Sequence, residues 1–141
     1  MRNLFIFALL ASSAAAADRP RVNLSNAGLE ASISRAMLKA QDPACLTTLE
    51  HFGIVTTPAN IEIKFQFLKF EVGSEKVCKG NTSAYTHRNG STVWICVERF
   101  NRLHPLEADA AIIHELFHTV GLDENPPTSL EITKQVVARC Q

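Results

Sequence analysis

AAIIHELFHTVGLDENPP, residues 110–127, decides how the rest of the chain is read. Within it His114, Glu115 and His118 form the pattern H-E-x-x-H. Residues four apart on an α-helix lie one turn above each other on the same face. Two imidazoles stacked in this way, about 6 Å apart along the axis, can grip one metal ion. The surrounding residues specify the helix. Leu106, Ala110, Ile113, Phe117 and Val120 recur at three- and four-residue steps, which makes an apolar stripe. Pro105 suits the first helical position, Glu107 and Asp109 put negative charge at the positive end of the helix dipole, and Gly121 suits a left-handed stop.

The longer pattern His114-Glu115-x-x-His118-x-x-Gly121-x-x-Glu124 resembles the zincin metallopeptidases and, within them, the metzincins. Metzincins carry His or Asp in the last place, where this chain has Glu124, and no methionine after Met37 is left to form their Met-turn. The resemblance covers roughly the second half of residues 18–141, and its H-E-x-x-H part is the specific one. It implies Zn2+ held by His114, His118 and a third ligand, for which Glu124 occupies the matching position. Asp123, Glu131 and His104 are the other candidates. Glu131 also completes a T-x-x-E capping box with Thr128, ahead of the stripe Ile132, Val136, Val137 and Cys140, and His104 stands at a helix entry before Pro105.

Zinc with two His and one carboxylate keeps a fourth position for water and lowers that water's pKa toward ~7. Glu115 projects about 100° around the helix from His114, so it is free of the metal. In zincins this residue takes the water's proton and delivers it to the leaving amine, so Glu115 is the implied catalytic residue. The implied function is an exported zinc-dependent metalloendopeptidase acting on a protein or peptide substrate. The alternatives are a catalytically weak or inactive zinc-binding protein (an effector, inhibitor or adhesion module) on the same scaffold, and a disulfide-stabilised domain without metal.

Residues 1–17, MRNLFIFALLASSAAAA, fit a secretory signal peptide: Arg2 is the positive end, Leu4 to Ala11 the apolar core and Ala15-Ala16-Ala17 the cleavage site. The apolar run is too short to span a bilayer. The expectation is cleavage after Ala17, one domain over 18–141, a secreted or periplasmic location, no membrane anchor and a monomer. The whole chain balances 14 basic against 14 acidic residues, and loss of Arg2 leaves a mature charge of about −1. Nothing in that balance suggests binding to nucleic acid or an anionic membrane. Four cysteines in an exported chain point to two disulfides, with Cys78–Cys96 and Cys45–Cys140 preferred among three connectivities.

The remaining elements give an α+β fold, a small zincin-like domain with a mainly antiparallel or mixed sheet, an N-terminal helix, the helix of the His pair and a C-terminal helix. Asp18 to Asn23 reads as a loose lead-in. Asn26 caps a helix running to about Ala40, and Asp42-Pro43 starts a second that stops near Gly53. Ile61 to Phe67 alternates strictly and reads as a strand, with a slip at Phe67 to Phe70 that marks a bulge or its end. Gly73 to Gly80 reads as a polar loop. Thr82 to Arg88 and Ser91 to Glu98 flank Asn89-Gly90, a strong hairpin signal. The metzincin resemblance makes Ser83 to Arg88 the edge strand that pairs with substrate, with Tyr85 and His87 candidates to point into the cleft.

Overall fold

Asn26 starts the first ordered helix by accepting the Leu29 N–H at 3.0 Å, and helix α1 then runs Ala27–Ala40. Asp42 caps α2, Pro43–His51, in the same way, with Pro43 in its first turn. The structure, a computed structural model, describes residues 19–141, so the signal segment and its cleavage site lie outside the described residues.

Ile61 to Phe67 is not a strand. Residues 61–66 lie in helix α3, Pro58–Gln66, which is capped by the Thr57 side chain, opened by Pro58 and ended at Phe67. Ile61 and Phe65, four apart, are fully buried, while Ile63 and Phe67 are more than half exposed. The alternating apolar residues thus contained an i, i+4 pair, and the Thr-Pro start decided between the two periods. The slip at Phe67 to Phe70 proves to be the entry to strand β2, Lys69–Val72. A further correction concerns the lead-in, where Arg21–Val22 forms a short strand β1 parallel to β2.

Helix α4, Glu75–Cys78, makes one turn inside the segment read as a loop. The hairpin is present: β3, Ala84–Thr86, pairs antiparallel with β4, Thr92–Ile95, with Tyr85 opposite Trp94. At its tip Asn89 takes φ +59°, and a Cβ on Gly90 would sit 2.7 Å from the His87 carbonyl oxygen. Strand β4 stops earlier than expected, because Val97–Phe100 turns into helix α5 and buries Phe100. β4 also pairs parallel with β2, so the sheet is mixed, in the order β1-β2-β4-β3. β3 is therefore an edge strand.

Helix α6 spans Pro105–Thr119, and α7 spans Ser129–Arg139 behind the expected Thr128–Glu131 capping box. Among the described residues the result is a small mixed α/β domain of seven helices and four strands, whose core gathers Leu29, Phe65, Phe70, Ile112, Phe117 and Ile132 between helices and sheet. No helix among them is long and apolar enough to cross a membrane. Both expected disulfides form, Cys45–Cys140 tying α7 to α2 and Cys78–Cys96 tying α4 to the start of α5. They mark a non-cytosolic protein. Closing loops of 95 and 18 residues contributes roughly 4–5 and 3 kcal/mol in the chain-entropy account.

Asp109 does more than favour the helix dipole. It is 1% exposed and accepts from Arg35 Nη2 at 2.8 Å and Lys39 Nζ at 2.9 Å, which locks α6 to α1. Burial alone would raise its pKa, but the hydrogen bonds and charges of Arg35 and Lys39 outweigh burial and hold it below the usual carboxylate value. Its contribution to stability is thus present above the unfolded pKa of about 3.9 and is lost as pH falls below it. Asp109→Asn is expected to cost roughly 2 kcal/mol in urea unfolding at pH 7, because Arg35 and Lys39 are exposed enough to turn partly to water. The gap to wild type should narrow below about pH 4.

Candidate metal centre

The buried side of α6 is unusually polar. His114, Glu115 and His118 are each less than a tenth exposed. The two imidazoles face each other with Nε2 atoms 3.0 Å apart. His118 Nδ1 lies 2.9 Å from the Leu122 carbonyl, which can only accept, so that nitrogen carries the hydrogen and Nε2 keeps a lone pair. His114 Nδ1 lies 3.0 Å from the Thr133 hydroxyl on α7. Two ring nitrogens this close must share either a proton or a cation. With a cation bound, both imidazoles would give their Nδ1–H to protein oxygens and keep their Nε2 lone pairs for the ion.

Glu124 completes the set. Its Oε2 is 3.6 Å from His118 Nε2, and one ligand atom from each of His114, His118 and Glu124 lies within 4.8 Å of the others. The three residues can therefore hold a metal ion with little adjustment, and their nitrogen and oxygen donors suit zinc. Burial, and then the proximity of His118, lower His114 to a pKa of about 4, so it is neutral and ready to ligate at pH 7.

The loop that carries Glu124 is held from the hairpin. The Asn89 N–H donates to the His118 carbonyl at 2.9 Å, and Arg88 donates to the Gly121 carbonyl and to Asp123, each at 2.9 Å. Gly121 has φ +108°, in the left-handed region expected of a residue just past the helix end. Asp123 is thereby occupied, with its other oxygen on the Glu124 N–H at 3.1 Å. Glu131 is likewise spent on Thr128, whose N–H and hydroxyl both reach its Oε2 at 2.8 Å. His104 caps the far end of α6, where its backbone N–H meets Glu107 at 2.9 Å. Of the four sequence candidates for third ligand, only Glu124 joins the cluster.

Tyr85 and His87 pack on Trp94, one stacked at 5.3 Å and the other edge-on at 5.2 Å between ring centroids. The Tyr85 hydroxyl accepts the Ser74 N–H at 2.9 Å, so this pair braces the hairpin and does not join the His cluster. Instead β3 offers its backbone to the site, where a Thr86 backbone group near the Glu115 carboxylate pulls its pKa down. Beside His114 and Glu115 lies a cleft of about 540 Å³ between α6, α7 and the start of β3. A larger hollow of about 620 Å³ by the Cys78–Cys96 disulfide holds none of these residues. Thr133, Arg88 and Thr86 carry no motif that sequence reading could have used.

Burial, and then the charge of Glu124, raise Glu115 to a pKa of about 8, against a smaller opposing pull from the Thr86 hydrogen bond. An acid raised in the folded state stabilises the fold least at high pH: the cost begins at the unfolded pKa near 4.3 and grows until pH passes the folded value. In chelator-treated protein Glu115→Gln is therefore expected to gain about 3 kcal/mol on wild type between pH 5 and pH 8 by urea unfolding. Equal curves at the two pH values would show that Glu115 is solvated.

Comparison with known protein families, with curated proteins and with solved structures finds no match.

Proposed function

We propose that the protein is an exported zinc-dependent metalloendopeptidase, with zinc on His114, His118 and Glu124 and with Glu115 as general base and then acid. The observation that carries this reading is the convergence of both Nε2 atoms and the Glu124 carboxylate while both Nδ1 atoms are held by protein oxygens. Zinc so held supplies Lewis acidity for the scissile carbonyl and brings water within reach of ionisation near neutral pH.

The chain's own residues account for the remaining roles. Glu115 is on the same helix face as the cleft, beside but outside the ligand set. Its carboxylate takes the proton of the attacking water and returns it to the departing amide nitrogen. Burial is the larger cause of its raised pKa and the charge of Glu124 the smaller, so neutralising Glu124 by ligation would move Glu115 back toward the ionised form that a base needs. Burial of His114, Glu115 and His118 strengthens these interactions, while Glu124 stands at the exposed side of the site. The free edge of β3 leaves one row of backbone groups able to align an extended peptide along the cleft.

Glu115→Ala should keep zinc, measured by metal analysis of the purified protein, and lose peptide cleavage by at least 100-fold. Persistent cleavage would remove Glu115 from the mechanism. Glu124→Ala should weaken zinc binding at least tenfold more than Glu131→Ala in a chelator competition. Full zinc occupancy with no turnover of any peptide in a broad library would instead leave a zinc-holding binding protein.

A further inference from the structure

The cleft beside His114 is lined unevenly. Glu107, Ala111 and His114 fall four and three residues apart, on one face of α6. At 1.5 Å per residue, Glu107 stands roughly 10 Å along the axis from His114. Between them Ala110 and Ala111 contribute only methyl groups, which leaves that stretch hollow, and Leu103 and Val137 add further apolar walls. No Lys or Arg lines the cleft; Glu107 is its one carboxylate besides Glu115. Arg99 donates to the Oδ1 of Asn81, a lining residue, at 2.9 Å, and does not itself line the cleft. Among the described residues no cation lies within salt-bridge distance of Glu107, which accepts the His104 N–H on Oε2 alone.

We infer that this cleft receives a lysine or arginine side chain flanking the scissile bond, with its stem on Leu103, Ala110, Ala111 and Val137 and its charge at Glu107. The inference rests on the peptidase reading and names the substrate class for it. A carbonyl placed at the His pair lets such a side chain lie along the hollow row and end at the Glu107 carboxylate. The methylenes meet apolar wall while the cationic head keeps a charged partner near solvent. A purely apolar side chain would cover Glu107 without offering it a charge, and an acidic one would be repelled by both Glu107 and Glu115.

The test maps cleavage sites in a peptide library with the zinc-loaded protein and its Glu107→Gln and Glu107→Lys variants. Lys or Arg should be enriched next to the cut bond, with the preference falling as salt rises. Glu107→Gln keeps an acceptor for the His104 N–H and should lower that preference about tenfold, and Glu107→Lys should turn it toward Asp or Glu. Ala111→Leu, which fills the stem's path without touching the cap, should reduce the same preference. Cleavage without a basic preference, or a preference unchanged by Glu107→Lys, overturns the assignment of the cleft alone. No cleavage of any library member by the wild type overturns the peptidase reading and this inference with it.

Discussion

Five of the eleven buried residues of helix α6 are polar, and this constraint organises the domain. Asp109, His114, Glu115, His118 and Thr119 all lie on its covered surface, and each would be costly there without a partner. Each surrounding element supplies one. α1 gives Arg35 and Lys39 to Asp109, α7 gives Thr133 to His114, β3 gives a backbone group to Glu115, and the loop after the helix gives Leu122 to His118. Thr119 turns back on its own helix at Leu116. Sheet and helices are thus fixed around α6 by polar contacts as well as by apolar packing. A shift of any neighbour leaves a charged or polar atom stranded.

How far this was legible in the sequence depended on whether the signal was local. The ends of α1, α2, α6 and α7 were readable because a cap and its N–H partner lie within a few residues, as at Asn26, Asp42 and Thr128. The hairpin was readable for the same reason at Asn89-Gly90. Helix α3 has an equally local cap at Thr57-Pro58, but Ile61, Ile63, Phe65 and Phe67 satisfy a two-residue period as well as an i, i+4 pair, and the alternation hides it. Only burial distinguishes the members that matter. β1 was invisible, since two residues paired to a strand nearly fifty positions away leave no pattern of their own.

The site divides along the same line. His114, Glu115, His118 and Glu124 stand in one short segment and announce themselves by spacing. Thr133, Arg88 and the Thr86 backbone support them from α7 and the hairpin, and nothing near them in the chain marks that role. The competition among Glu124, Asp123 and Glu131 needed three dimensions. Asp123 and Glu131 are close in sequence and chemically suitable, but Arg88 and Thr128 had already claimed them.

The compactness of that segment has a thermodynamic consequence. All three candidate ligands lie between positions 114 and 124, so bringing them together closes only short loops. A disordered chain, in which a fluctuating turn of α6 can still bring two imidazoles together, retains part of their grip on a cation. A ligand that also binds the unfolded ensemble stabilises the native one by less than its affinity alone implies. Metal would accordingly add less to the resistance of this fold to unfolding than a centre assembled from distant strands, and the two disulfides and the Asp109 lock would carry more of that burden.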